Sequence, residues 1–184
     1  MNARLGNLLV LSAVLGSAAL ACQWGREDAH AHLEPIDASG VEGDVRFTAV
    51  DGRVRIEGKV SGLAPGKHGF HIHEFGSCEG TGASAAGGHY NPEGSPHGAP
   101  WSSPRHAGDL GNIEADADGV AEVRIETDAI SLGTGPRDVV GRSLIVHADL
   151  DHFTQPTGDA DGKVACAMIT ASHGATRRIE PEPE

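Results

Sequence analysis

Six histidines and one aspartate in this chain have the residue types and spacing of metal ligands. They are His71, His73, His89, His97, His106, Asp109 and His147. Imidazole nitrogens bind copper and zinc, and a single carboxylate among several imidazoles suits a tetrahedral zinc ion better than a thiolate site or an all-oxygen calcium site. The set contains enough donors for two adjoining metal sites.

The closest pair in this set, His71 and His73, is separated only by Ile72. Alternate residues of a β-strand project from the same face, so both imidazoles can bind one ion while Ile72 points into the core. An isolated pair of this kind is more often two polar residues on a solvated strand face. The other five candidates, which have few structural explanations, favour the metal interpretation.

The elements that must position these ligands are predicted to be β-strands. The chain has 26 glycines, 10 prolines and only 4% aromatic residues, which indicates many turns around a core of small aliphatic side chains. Apolar and charged residues alternate most clearly in two segments that flank Asp51-Gly52, a preferred pair for a two-residue hairpin turn. Eight strands are predicted, at residues 33–36, 41–50, 53–61, 67–74, 110–115, 120–127, 143–147 and 164–170.

A long stretch without periodicity, residues 75–108, separates the fourth and fifth predicted strands and is rich in Gly, Pro and Ser. Loops of this length in a compact domain are usually functional, and four of the seven candidate ligands lie on it or at its end. A bound metal would supply the order that such a loop lacks.

Length and charge limit the possible functions. The 184 residues, less a targeting segment, correspond to one domain, and the net charge is −12. No cluster of Lys and Arg is present that could follow a phosphate backbone, so nucleic acid is not expected as a partner. The acidity is typical of a solvated surface.

The first 21 residues predict a secretory signal peptide. An early cation, Arg4, precedes an apolar run that is short for a membrane-spanning helix and ends in Ala19-Leu20-Ala21. Cys22 follows directly and resembles the lipid-accepting cysteine of bacterial lipoproteins, although the same small residues would also serve an ordinary signal peptidase. We expect an exported protein of the periplasm or cell envelope that contacts the membrane only through a lipid on Cys22, or else a soluble periplasmic or secreted one.

The predicted domain covers residues 33–172, and the segments on both sides of it are polar. Residues 22–32 are predicted to be a flexible tether, in which His30 and His32 are either solvated or an auxiliary pair that gathers copper. Residues 173–184 are predicted to be a disordered acidic tail.

The chain has three cysteines, Cys22, Cys78 and Cys166. Because an exported chain enters an oxidising compartment, two of them are expected to pair.

Four segments around the candidate ligands closely resemble the signatures of copper,zinc superoxide dismutases, as does the region 158–168. The segments are residues 69–76, 87–92, 105–112 and 141–147. The resemblance covers roughly residues 33–170, and the short gap between His73 and Cys78 is similar to that of the bacterial branch. It implies an all-β fold, an eight-stranded antiparallel Greek-key barrel of the immunoglobulin-like sandwich type with long metal-binding loops, and a possible homodimer.

The resemblance also implies roles for individual residues. Copper would be bound by His71, His73, His89 and His147, and zinc by His89, His97, His106 and Asp109. His89 would bridge both metals, Cys78 and Cys166 would form a disulfide, and His68 would bridge backbone groups. Asp151, rather than the less well spaced Asp149, would accept hydrogen bonds from one ligand of each metal.

The implied activity is the conversion of superoxide to dioxygen and hydrogen peroxide by copper that alternates between its two oxidation states, with a proton delivered from His89. This activity would protect the cell envelope from oxygen radicals. Lys163 stands where the family usually has an arginine that guides the anion, and it lacks the two-pronged donor of that arginine. Asp159 and Asp161 lie close by in sequence and weaken the positive field, so we expect a reduced rate. Thr157 would line the substrate channel.

Two alternatives to this enzyme involve the same metal ligands. One is a copper- and zinc-binding module of the same family with little or no dismutase activity, which the substitution at Lys163 keeps open. The other, a zinc hydrolase, is disfavoured because four protein ligands would leave no open position on the zinc.

Overall fold

The computed structural model describes residues 28–160, 162–172 and 178–181, so the predicted signal peptide and Cys22 lie outside the described residues. The described residues form nine β-strands: β1 Asp28–Pro35, β2 Glu42–Val50, β3 Arg53–Ser61, β4 Gly66–His73, β5 Asp109–Ala115, β6 Ala121–Thr127, β7 Ser143–His147, β8 Lys163–Met168 and β9 Thr170–Ala171. A short 3-10 helix, Thr81–Ala86, lies in the loop after β4. Within these residues, no helix has the length and apolar character needed to cross a membrane.

The strands form one closed antiparallel barrel. Their order is β2-β3-β6-β5-β4-β7-β8-β1-β9, and β1 also pairs with β2, which closes the barrel. β3 is next to β6 and β4 is next to β7, so the connections cross between non-consecutive strands as in a Greek key. The predicted all-β, eight-stranded antiparallel barrel is therefore confirmed, with the short β9 as an additional strand.

Local sequence explains the β2–β3 hairpin. In β3 the apolar residues Val54, Ile56 and Val60 are buried, while the charged residues between them are exposed. Asp51 and Gly52 have φ values of 50° and 78°, the positive values that a two-residue turn between twisted strands requires. The predicted turn is confirmed.

β4 is buried on both faces, and this arrangement positions the candidate ligands. Phe70 and Ile72 are fully buried in the hydrophobic core. His71 and His73 alternate with them and therefore point away from the core, yet they are only 0% and 3% exposed. The outer face of β4 must therefore be covered by the long loops.

The predicted flexible tether is wrong for residues 28–32, which belong to β1. This strand pairs with β2 from Asp28 opposite Thr48 to Leu33 opposite Gly43. Ala29 and Ala31 are buried and alternate with exposed histidines. Because alanine is only weakly apolar, this alternation does not stand out in the sequence.

The predicted disordered tail is also wrong for the part that the structure describes, residues 178–181. The backbone N–H of Ile179 donates to the carbonyl of Gly141 over 2.8 Å, and the N–H of Gly76 donates to the carbonyl of Ile179 over 2.8 Å. Arg178 also forms an ion pair with Glu79 at 3.4 Å. This part of the tail is held against two loops of the barrel.

Candidate metal centre

All seven candidate ligands converge in the structure, and all are buried. They form two groups of four, in each of which the ligand atoms lie within 4.8 Å of one another. We call them the first set, His71, His73, His89 and His147, and the second set, His89, His97, His106 and Asp109. His89 belongs to both sets, so the two sites adjoin through one imidazole.

Two neighbouring strands and one loop bring the first set together. His71 and His73 lie on β4, which pairs with β7, and His147 is the last residue of β7. His89 comes from the long loop and forms an isolated bridge with His73, which brings its ring to 4.0 Å from that of His71, centroid to centroid. Buried His68 contacts the carbonyl of His147 at 3.0 Å and that of Ala64 at 2.8 Å, as the resemblance implies.

Hydrogen bonds on the outer ring nitrogens orient the imidazoles of the first set. His71 Nε2 donates to Asp151 over 2.9 Å, and His73 Nδ1 donates to the carbonyl of Gly87 over 2.9 Å. The opposite nitrogens, His71 Nδ1 and His73 Nε2, are buried and find no hydrogen-bond partner among the described residues. An unsatisfied buried polar atom costs about 1–3 kcal/mol, so these orphaned nitrogens fit a set of metal ligands.

The second set is built around one oxygen of Asp109. Its Oδ1 lies 3.0 Å from His89 Nδ1, 2.9 Å from His97 Nδ1 and 3.1 Å from His106 Nδ1. A carboxylate oxygen has two lone pairs and does not accept three good hydrogen bonds, whereas donors around a tetrahedral zinc with bonds of about 2.0 Å lie about 3.3 Å apart. Three nitrogens and one oxygen at these separations fit zinc.

The loop backbone holds the Asp109 carboxylate in this orientation. Its other oxygen, Oδ2, accepts hydrogen bonds from the N–H groups of His106 at 2.8 Å and Gly98 at 3.0 Å. Two backbone donors on one oxygen direct the second oxygen towards the three imidazoles. The spacing of three residues between His106 and Asp109 makes this closed turn possible.

Asp151 accepts a hydrogen bond from one imidazole of each set, as the resemblance implies. Its Oδ2 accepts from His71 of the first set at 2.9 Å, and its Oδ1 accepts from His97 of the second set at 3.0 Å. The side-chain amide of Asn112 holds the backbone of Asp151: its Oδ1 accepts from the Asp151 N–H at 2.7 Å, and its Nδ2 donates to the Asp151 carbonyl at 3.0 Å. A Cβ on Gly158 would lie 1.8 Å from Asp151 Oδ1, so only glycine leaves room for the carboxylate.

Burial keeps three rings of the first set in the form that binds metal. It lowers the pKa of His71 to about 3 despite the opposing hydrogen bond to Asp151, and it also lowers the pKa of His73 and of His89. These rings are therefore neutral at neutral pH, and a neutral imidazole has a free lone pair.

Charge distinguishes the second set from the first. Burial raises the pKa of Asp109, but hydrogen bonds from His106, His89 and His97 outweigh it and hold the pKa well below its usual range. Burial lowers the pKa of His97, but Asp109 and Asp151 together raise it to about 9. A cation at this position would compete with the His97 proton for the same lone pair.

Two aromatic residues without a role in the sequence analysis cover the second set. The ring of Phe153 stacks on His97 with centroids 6.4 Å apart, and Trp101 contacts Phe153 edge to face at 5.5 Å. Trp101 is 82% exposed. Phe153 has a φ of 58°, a strained value for a bulky residue, which places its ring next to His97. The only sequence signal was an aromatic residue within a loop poor in apolar residues.

Lys163, the predicted guide for the substrate, begins β8 opposite His147. The side chain is half-buried, and burial lowers its pKa. The carboxylate of Asp159 accepts a hydrogen bond from Thr154 at 2.9 Å, and Asp161 lies outside the described residues. Thr157 is exposed on the loop that leads from Asp151 to Lys163.

A disulfide between Cys78 and Cys166 ties the metal-bearing loop to the barrel. It joins the loop after β4 to β8, across 88 residues of sequence, and Cys166 is buried. The pairing implied by the resemblance is confirmed.

Comparisons with known proteins agree with this geometry. The model of the family described as copper/zinc superoxide dismutase matches residues 41–169. The crystal structure of the clock protein EA4 is similar over 80% of this chain and 96% of its own, with 37% sequence identity and a TM-score of 0.73.

Proposed function

Since this chain belongs to the copper/zinc superoxide dismutase family, we propose that it converts two superoxide anions and two protons into dioxygen and hydrogen peroxide. One observation carries the proposal. Two buried sets of four metal-binding side chains meet at a single imidazole, His89. A protein that only stored metal would have no need for a shared ligand between two different donor sets.

The donor types assign the metals. The first set contains only imidazoles and would hold copper, and the second set contains three imidazoles and a carboxylate and would hold zinc. When bound, copper supplies one-electron exchange between its two oxidation states, and zinc supplies a fixed positive charge without redox chemistry.

His89 would deliver a proton to the substrate at the first set. Its Nδ1 lies 3.0 Å from Asp109, so its Nε2 is the nitrogen left for the first set. A proton held at Nε2 would lie next to the first set, where a superoxide anion that takes up one electron needs protons to become hydrogen peroxide. The second set fixes the ring through Nδ1, so the proton moves without reorientation of the imidazole.

Asp151 and Lys163 would support this chemistry in different ways. Asp151 fixes the rings of His71 and His97 and increases their basicity through hydrogen bonds to their outer nitrogens. Lys163 would attract the superoxide anion, which matters in a chain with a net charge of −12. An ammonium group offers charge without the two-pronged donor of an arginine, so we expect a slower enzyme.

The alternative is a member of the family that binds metals but has little dismutase activity. It draws support from Lys163 and from the similarity to a protein described as a clock protein. The two functions differ in turnover, not in metal content.

Superoxide decay tests the proposal. Protein loaded with both metals should accelerate the decay, and the same protein stripped of copper should not. His147→Ala, which removes a ligand of the first set only, should behave like the stripped sample, while His152→Ala, at an exposed histidine, should retain the parent rate. Equal rates in loaded and stripped protein would favour the metal-binding module.

We also propose that the chain is exported and carries lipid on Cys22, on the basis of the apolar run and small residues that precede this cysteine. Fractionation of the producing cells, with labelled palmitate, tests both points. Export with a lipid should place the parent in the membrane fraction and Cys22→Ser in the soluble fraction. If the parent protein is soluble and carries no palmitate label, the lipid on Cys22 is ruled out and only export to the periplasm or medium remains.

A further inference from the structure

Two histidines that take no part in either metal set stand side by side on the outer surface of the barrel. His30 and His32 occupy alternate positions of β1, and both are exposed. Their neighbours Ala29 and Ala31 are buried. Because alternate residues of a strand share a face, both imidazoles project to the same side of the sheet.

A carboxylate on the neighbouring strand already orients one of these rings. Asp44 of β2 lies directly opposite His32, and His32 Nδ1 donates to its Oδ1 over 2.7 Å. Both side chains are solvated, at 65% and 84% exposure. This is the arrangement in which a carboxylate fixes the tautomer of a ligand histidine and leaves its Nε2 for a metal.

His30 faces the same region. Together with Asp44 and Glu57 it lines a shallow depression of about 300 Å³ on the outer sheet. Arg46, the residue opposite His30, forms an ion pair with Asp28 at 3.7 Å, which offsets part of its positive charge.

Negative charge dominates around the pair. The hydrogen bond to Asp44 and the nearby charges of Asp44, Glu34 and Glu42 raise the pKa of His32, because they favour a positive charge at this ring. The same field favours a bound cation.

We propose that His30 and His32, with Asp44 behind His32, form a surface site that binds copper(II) reversibly. Two imidazoles select a transition metal over magnesium or calcium, and copper(II) is the divalent ion that such nitrogen donors bind most tightly. Few protein ligands and full solvent access make the site weaker and faster to exchange than the buried sets. It could therefore hold copper before or apart from the enzyme's own centre.

The test uses protein whose buried sets are already filled with copper and zinc, so that dismutase activity does not enter the measurement. Titration with copper(II), followed by electron paramagnetic resonance, should show one further copper per chain with nitrogen ligands. The double variant His30→Ala, His32→Ala should lose this signal, and Asp44→Asn should weaken binding about 10-fold. These residues are exposed, so the variants are expected to fold normally.

Two further variants distinguish the site from adventitious binding. His152→Ala removes another exposed histidine and should leave the extra copper in place. Arg46→Ala removes the neighbouring positive charge and should tighten binding. The proposal is overturned if the filled protein takes up no further copper, if the double variant binds it as well as the parent, or if His152→Ala abolishes it.

Discussion

Replacement of Asp151 by Asn should weaken both metal sites at once. The carboxylate accepts hydrogen bonds from His71 Nε2 at 2.9 Å and His97 Nε2 at 3.0 Å, and from the N–H of Phe153 at 2.7 Å. An asparagine of the same shape has one accepting oxygen and an NH₂ group that only donates. Whichever way the amide turns, at least one of the two rings meets a donor instead of an acceptor.

The expected size follows from the role of such supporting groups. Loss of a hydrogen-bonded partner behind a ligand histidine reduces metal affinity by about 10–100-fold, or about 1.4–2.7 kcal/mol. Because Asp151 is 1% exposed, water cannot replace it. One ring loses its acceptor and the other keeps only an uncharged amide oxygen in place of a carboxylate, so both zinc and copper affinity should fall in the same variant.

Competition against a chelator of known affinity measures each metal separately. Asp149→Asn is the matched control, because Asp149 is exposed and its hydrogen bonds within the described residues are made by its backbone, with the N–H of Gly69 and the carbonyl of Ala160. The control should bind both metals like the parent. Zinc and copper affinities within two-fold of the parent in Asp151→Asn would refute the reasoning.

Three further predictions concern the disulfide, the proposed substrate guide Lys163 and the tail. Serine at both Cys78 and Cys166 should lower the free energy of unfolding by about 4–5 kcal/mol, because the disulfide closes an 88-residue loop. Urea denaturation of the metal-free protein measures this loss. A loss below about 1 kcal/mol would contradict the prediction. Lys163→Gln should reduce the bimolecular rate constant for the reaction with superoxide several-fold and make it less dependent on ionic strength. Lys163→Arg keeps the positive charge and should retain the ionic-strength dependence. If the dependence is unchanged in Lys163→Gln, the charge does not guide the anion. Ile179→Pro removes the N–H that donates to Gly141 and should loosen the tail, whose Ile179 carbonyl accepts from Gly76. The amide hydrogen of Gly76 should therefore exchange with solvent faster than in the parent protein. Equal exchange in both proteins would show that the tail does not protect this amide.

Much of the barrel was predictable because its strands carry strong local signals. The alternation in β3 and the Asp51-Gly52 turn each specify their structure without help from distant residues. The ligand sets were predictable for a different reason. Their division into two groups came from the resemblance of the flanking segments, since spacing alone shows only that many histidines are present.

The missed features depend on contacts that leave little trace in the sequence. The first half of β1 buries alanines, whose weak hydrophobicity hides the strand period. The tail is held by backbone hydrogen bonds from Ile179 to loops far away in sequence, which need no particular side chain. Phe153 reaches His97 through an unusual backbone angle, and a positive φ at a phenylalanine is not foreseeable from residue preferences.

The most direct test of the central claim is a copper titration of zinc-loaded protein followed by its superoxide decay rate. We predict a rate that rises linearly with copper and reaches a plateau at one copper in the first set, whatever further copper binds elsewhere. The same titration of His71→Ala, His73→Ala should produce no rise. A rate that stays at the buffer level in the parent, or that rises equally in the double variant, would contradict the claim that these buried histidines form the centre of a superoxide dismutase.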